Sequence, residues 1–326
     1  MKKVMIVATG GTIAGTGKAG KTIAYRAGEI TVDEIISSTP IIKNIAEIET
    51  CQLMNVDSNE INTQMWIELA NKINEIVKDD SIDGIVVTHG TDTLDETAYF
   101  LTLTLNTDKP VIMTGAMRPA TATSADGPFN LYQAISLAVS PQAMNQGVMC
   151  LFSNTIYSGR DIQKVSNYKI DAFDHKNFGC LGYMQDEEVY FFTTSFKKHT
   201  IHSLFSKLPL TALPLVAIAY FYAGASASIL YHLAKDHQGI VLVGSGSGNY
   251  NHEWMMAIHD LSQKGIIFVR SSRISRGIVF DDEIFDPYHD CIPANTLSPQ
   301  KARVLLMLAL SQTVDKKHIR IIFDEY

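Results

Sequence analysis

Charge is scarce in this chain, and basic charge scarcer still. Charged residues make up 19% of the 326, and 27 Lys and Arg against 34 Asp and Glu leave a net charge of −7. A protein that grips a phosphate backbone carries a basic excess, so nucleic acid is excluded as a main partner. Long apolar runs are missing too. The longest, Leu215 to Ala225, has 11 residues, whereas a spanning helix needs about 20, so no membrane partner is expected. Cysteine is sparse: Cys51, Cys150, Cys180 and Cys291 lie far apart and make no zinc or redox spacing. They read as four buried free thiols. The start, Met1-Lys2-Lys3, imitates an export signal, but the apolar run Val4 to Ala8 stops at Thr9-Gly10-Gly11, short of the roughly 7–15 residues required. The expected location is cytoplasmic, with a periplasmic form as the alternative if a signal peptide has been removed. No repeat or low-complexity segment occurs.

What is present is core material and a regular rhythm. Hydrophobic residues reach 46%, and the length suits two domains. Buried-strand runs at Val4–Ala8, Gly84–Thr88, Val111–Thr114 and Gly147–Phe152 alternate with helical patterns at 63–78, 94–105 and 126–139. Thr31-x-x-Glu34 and Thr93-x-x-Glu96 look like capping boxes. The rhythm breaks over 155–212, with a hairpin strand near Glu187–Thr193, and resumes from 215. Ser298-Pro299 opens a helix whose run Val304–Leu310 is apolar all round, implying a fully buried helix or one at a subunit interface. The expected fold is α/β. A larger N-terminal domain (1–193) has a mostly parallel sheet flanked by helices. A linker (194–212) leads to a smaller C-terminal α/β domain (213–326).

One motif competes for attention. Gly15-Thr16-Gly17-Lys18-Ala19-Gly20-Lys21-Thr22 satisfies the P-loop pattern, which would cradle phosphates at a helix N-terminus. Six residues separate it from the preceding strand, and no helical face follows. The other reading is a Gly/Lys-rich loop that could lie over a site as a lid.

Parallel sheets place ligands beyond the carboxyl ends of their strands. Two segments stand there: Thr9-Gly10-Gly11-Thr12-Ile13 and Thr88-His89-Gly90-Thr91-Asp92-Thr93. Each sets a threonine hydroxyl beside glycines whose N–H groups can approach a ligand. A threonine needs a base before it can act as a nucleophile. Candidates are Asp92 beside Thr91, Lys164 after the next strand region, and Tyr25 in the loop after Thr12. His89 reads as structural. No cluster implies a metal or an organic cofactor, so none is expected.

Those two segments resemble the signature motifs of the bacterial L-asparaginases. The resemblance continues through Gly115-Ala116-Met117-Arg118-Pro119, Ser124-Ala125-Asp126-Gly127, Asn130-Leu131, Ser271-Ser272-Arg273 and Pro299 to Leu306, and is nearest to type II. It implies hydrolysis of L-asparagine to L-aspartate and ammonia through an aspartyl-ester intermediate. Thr12 would be the nucleophile, assisted by Tyr25. Thr91, Asp92 and Lys164 would activate the second-step water. Substrate would be bound by Gly11, Ser58, Asn59, Gly90, Thr91, Asp92, Ala116, Asn249 and Glu283. Ser58 would take the α-carboxylate and Asp92 the α-ammonium. Glu283 would reach in from a neighbouring subunit, in a homotetramer built as a dimer of dimers. Asn59 stands where relatives often carry Gln or Glu. The alternatives are a dual glutaminase-asparaginase, a P-loop NTPase from Gly15–Thr22, and a non-catalytic amino-acid sensor.

Overall fold

The computed structural model describes residues 1–22, 26, 28–37, 39–175 and 177–326. The chain divides into two compact units, Met1–Pro209 and Leu210–Tyr326.

Among the described residues the first unit has ten strands: β1 (Lys3–Gly10), β2 (Glu47–Val56), β3 (Gly84–Thr88), β4 (Val111–Thr114), β5 (Val148–Phe152), β6 (Thr155–Ser158), β7 (Ile162–Lys164), β8 (Phe173–His175), β9 (Gly182–Gln185) and β10 (Glu188–Phe191). Eight form one sheet in the order β10-β9-β6-β5-β4-β3-β1-β2, while β7 and β8 make a separate antiparallel ribbon. From β2 to β5 every pair is parallel; β6, β9 and β10 extend the sheet antiparallel. The central strands β3, β4 and β5 are buried along their whole length, as their unbroken apolar runs require.

Four helices cross over: α1 (Val32–Ser37), α2 (Thr63–Ile76), α3 (Leu94–Thr104) and α4 (Gly127–Ala138). On one face Val4, Ile6, Ala8, Val86, Ile112 and Met149 pack with Leu131, Ala134 and Ile135 of α4 and Ile35 of α1. α3 packs against β5, and α2 packs on α3 through stacked Trp66 and Phe100 rings with centroids 5.4 Å apart. Asn62 starts α2 by accepting from the Gln64 and Met65 amides.

The second unit runs β11 (Val216–Tyr220), α5 (Ser228–Leu233), β12 (Gly239–Gly244), α6 (His252–Gln263), β13 (Ile267–Ser272), β14 (Cys291–Pro293), α7 (Pro299–Leu310) and α8 (Lys316–Glu325). Its four strands are all parallel, in sequence order. Trp254, Leu230, Leu242 and Phe268 anchor the core on one side. Val304 to Leu310 are all buried within the single chain, so α7 is a core helix and its apolar run needs no partner subunit.

Several expectations change. The Thr31–Glu34 box forms, with Glu34 accepting from the Thr31 amide at 2.7 Å and Thr31 Oγ1 accepting from the Glu34 amide at 3.4 Å. The Thr93–Glu96 box does not: the Thr93 hydroxyl turns away and donates to Ser58 O at 2.8 Å. Residues 194–209 carry two short 3-10 turns, Thr200–His202 and Leu204–Lys207, and both pack on α3. Only Cys150 and Cys291 are buried; Cys51 and Cys180 are half-buried.

The P-loop reading fails on hydrogen-bond accounting. The Gly17 amide donates to Thr121 Oγ1 at 3.0 Å and the Gly20 amide to Thr121 O at 2.8 Å. The Thr16 and Lys21 amides bond Arg26 O and Lys18 O. A phosphate cradle needs such donors unspent. Among the described residues, the next helix, α1, begins at Val32.

Leu306 is fully buried on α7, with its Cδ2 lying against Gly239 of β12. Leu306→Ala is expected to destabilise the chain by about 2–5 kcal/mol, read from urea unfolding. A shift within error would contradict the core assignment of α7.

Candidate active site

The register of the sheet builds the site. Ala8 on β1 pairs with Thr88 on β3, and Thr88 pairs with Thr114 on β4. β3 and β4 therefore end level while β1 runs two residues further beside β2, and the segments beginning at Gly11, His89 and Gly115 leave the sheet side by side. Thr9 Oγ1 donates to Thr88 O at 2.9 Å and ties the first two together.

Glycine lets them touch. Gly11 has φ +85, and a Cβ there would fall 2.4 Å from Gly90 Cα. A Cβ on Gly90 would fall 2.7 Å from Ser58 Cβ, and one on Gly115 would fall 2.4 Å from His89 O. The segments carrying Thr12, Thr91 and Ala116 are thus packed together with Ser58 through these glycines. Thr12 is 7% exposed, in the short 3-10 turn Thr12–Ala14 that the two glycines introduce.

The charged groups stand beside this point. Lys164 ends β7 and reaches back to donate to Thr91 Oγ1 at 2.8 Å and Asp92 Oδ1 at 2.5 Å. The Lys164 ammonium holds the Asp92 carboxyl below the usual carboxylate range, with the Asn59 amide adding to it. Asn59 Nδ2 lies 3.4 Å from Asp92 Oδ2 and 2.9 Å from Asp57 Oδ1. The Lys164 bond fills one acceptor position on Thr91 Oγ1, leaving the hydroxyl hydrogen to point elsewhere.

Beneath the site His89 is fully buried. Gly90 O, 2.7 Å from Nδ1, can only accept, so the ring proton sits on Nδ1. Nε2 then accepts from Thr97 Oγ1 at 3.0 Å, and Thr97 in turn takes the Trp66 indole N–H at 2.8 Å. Burial pushes the imidazole down to about 4, so it is neutral and structural, as the sequence suggests. Around Ala116, Asp126 accepts the Met117 and Arg118 amides, each at 2.9 Å, and Asn130 Nδ2 donates to Gly115 O at 3.0 Å.

Of the expected site residues, Gly11, Thr12, Ser58, Asn59, Gly90, Thr91, Asp92, Ala116 and Lys164 come together in the first unit. Tyr25 lies outside the described residues. Asn249 and Glu283 belong to the second unit: Asn249 is exposed and closes a turn with Ser245, and Glu283 is exposed, 3.7 Å from His289 Nε2. Sequence reasoning missed the wall beyond Lys164. An open cleft of about 760 Å³ runs from Asp92 and Lys164 along Ser166, Tyr168 and Lys169 in the β7–β8 connection. No motif marks those residues; their place just after Lys164 was the available signal. Among the described residues no group of three His, Cys, Asp or Glu side chains could hold a metal ion, and no helix is long and apolar enough to cross a membrane.

The fold and site define an α/β protein of hydroxyl chemistry, two buried threonines beside a lysine–aspartate pair at the carboxyl ends of parallel strands. The chain belongs to the asparaginase family: residues 3–197 match "Asparaginase, N-terminal" and residues 215–323 match "Glutaminase/Asparaginase C-terminal domain". It is 41% identical to "L-asparaginase 2" of Escherichia coli, over 100% of this chain and 94% of that one. It is 39% identical to "Glutaminase-asparaginase" of Pseudomonas fluorescens, over 100% and 91%. A crystal structure titled "Probable Cytoplasmic L-asparaginase from Campylobacter jejuni" superposes with a TM-score of 0.95 at 42% identity, covering all of both chains.

His89 gives this site a pH signature. Unfolded, its imidazole protonates near 6.5; folded, only near 4. The unfolded state therefore binds the extra proton first as pH falls. Stability is full above about 6.5, declines below it, and levels off below about 4, a loss of about 3 kcal/mol. His89→Gln is expected to flatten that part of the stability–pH curve in urea titrations. An unchanged slope would contradict the neutral, buried assignment.

Proposed function

We propose that the chain is an L-asparagine amidohydrolase that works by covalent catalysis from Thr12. The observation that carries this reading is the pair of bonds from Lys164 to Thr91 and Asp92, next to a buried Thr12. Asp92 binds the substrate ammonium through the oxygen not taken by Lys164, and the buried Ser58 binds the α-carboxylate. The Thr12 hydroxyl oxygen then attacks the side-chain amide carbon. Its proton passes to the leaving nitrogen with the help of Tyr25, and ammonia departs as the C–N bond breaks. This leaves an aspartyl ester on Thr12. Water held by Thr91 attacks the ester carbon. The Thr91 hydroxyl, oriented by its bond from the Lys164 ammonium that Asp92 holds in place, relays the water's proton to the departing Thr12 oxygen. The ester C–O bond breaks, and aspartate leaves with Thr12 restored. Two modest barriers replace one high barrier. Backbone N–H groups beside Thr91 stabilise the oxyanion in each step, worth about 3–4 kcal/mol per donor.

Asparagine is the favoured substrate over glutamine because Asn59 is short and tied to Asp57, which fixes the ammonium end of the pocket. The active form is a homotetramer, a dimer of dimers, in which Asn249 and Glu283 complete the site of an adjacent subunit. Four free cysteines suit a reducing compartment, and the cytoplasm is the proposed location.

Ammonia release from L-asparagine and L-glutamine tests the reading. The expected result is fast release from asparagine and slow release from glutamine. Thr12→Ala and Thr91→Ala are each expected to lower kcat by about 10³-fold or more with unchanged thermal unfolding. Near-normal turnover in either folded variant would overturn the two-threonine assignment.

A further inference from the structure

Arg270 lies in the middle of β13 and is 1% exposed. Its bonds among the described residues run to two backbone carbonyls and to no carboxylate. Nη1 donates to Ser247 O at 2.8 Å and Nη2 donates to Phe280 O, while Nε has no partner. The guanidinium carbon sits 5.4 Å from the centroid of the Phe285 ring. Burying a cation that no carboxylate hydrogen-bonds is expensive, and the buried Asp286 nearby spends its carboxylate on the Asp290 and Cys291 amides instead. The charge at this position therefore calls for another explanation.

The two carbonyls supply one. Ser247 lies inside the turn closed by the Ser245 and Asn249 backbones, whose amide–carbonyl bonds are 2.9 and 2.6 Å. Gly248 in that turn has φ +86, and a Cβ there would meet Arg270 Cγ at 2.9 Å, so the turn rests directly on the arginine stem. Phe280 lies three residues before Glu283. On the other side of Glu283, the turn from Asp282 is held by the Phe285 and Asp286 amides on Asp282 O, at 3.0 and 3.1 Å. Phe285 brings that turn back onto the guanidinium. Arg270 thus touches the segment bearing Glu283 both before and after it, and grips the turn bearing Asn249 with the same planar fork. Phe280 N–H to Ser247 Oγ, at 3.3 Å, adds a direct stitch between the two segments.

We infer that Arg270 is a positioning residue that fixes Asn249 and Glu283 relative to each other for the site of the adjacent subunit. This rests on the reading that those two residues serve a neighbour's site. A lysine keeps the charge but has no planar fork, so it cannot bridge both carbonyls in the same way.

The test uses the full chain. Arg270→Lys is expected to assemble normally and raise KM for asparagine about tenfold, with a smaller change in kcat. Co-expressed under different tags with Thr12→Ala subunits, it is expected to give hybrids in which the low KM returns. The intact Arg270 of the Thr12→Ala subunit then serves the intact Thr12 of the other. Glu283→Ala hybrids with Thr12→Ala are the control. Rescue by both pairs supports the inference. Rescue by Glu283→Ala but not by Arg270→Lys overturns it and leaves the shared-site reading standing. Failure of the Glu283→Ala pair removes the shared site and the inference with it. A native KM in Arg270→Lys also overturns the inference. If Arg270→Lys does not fold, Phe285→Leu carries the same test, with a raised KM rescued in hybrids as the supporting result and a native KM as the contrary one.

Discussion

The site hangs on a contact that only glycine permits. Gly11 and Gly90 meet with no room for a Cβ on Gly11, and Gly90 in turn has none to spare against Ser58. Add a methyl group at Gly11 and the segment carrying Thr12 must move away from the segment carrying Thr91; add one at Gly90 and Ser58 must move away. Parallel pairing of β1 with β3 brings the two segments level, but pairing alone leaves neighbouring strands about 4.8 Å apart. Gly11 closes the remaining gap and brings the Thr12 and Thr91 segments into contact beyond the strand ends.

Electrostatics is arranged in layers around that contact. Lys164 and Asp92 form a pair at the rim, where solvent reaches the aspartate and a substrate ammonium can replace water. One step inward His89 is kept neutral by burial, and its bonds fix the Gly90 carbonyl from below. In the second unit the arrangement is inverted: a buried cation, Arg270, organises two surface turns instead of meeting a substrate.

Much of the central sheet was legible in the sequence, and for a plain reason. Strands buried on both faces are unbroken apolar runs, and Gly84–Thr88 and Val111–Thr114 match their predicted ends. β2 was missed because it is an edge strand, Glu47–Val56, half-exposed and without such a run. β14 was missed because three residues carry no period. The Thr93–Glu96 box was misread because local spacing cannot register a competing acceptor, Ser58 O, 35 residues away. The P-loop pattern, already at odds with its long gap from the strand and the missing helical face, fails on contacts of the same kind: the Gly17 and Gly20 amides are spent on Thr121, about a hundred residues on. The candidate site was legible as far as its two threonine segments, which the sheet rule and the family resemblance both single out and which the structure brings side by side. The cleft wall at Ser166, Tyr168 and Lys169 and the role drawn for Arg270 were not. Both depend on tertiary contacts that no short motif encodes.

The central claim is that Thr12 carries the acyl group and the Thr91–Lys164 pair serves the water. Lys164→Met should slow the second step more than the first, so incubation with L-asparagine, acid quench and peptide mass spectrometry would read the claim directly. The account predicts an aspartyl ester on the peptide containing Thr12. An ester on the Thr91 peptide, or ammonia release with no ester on either, would contradict it.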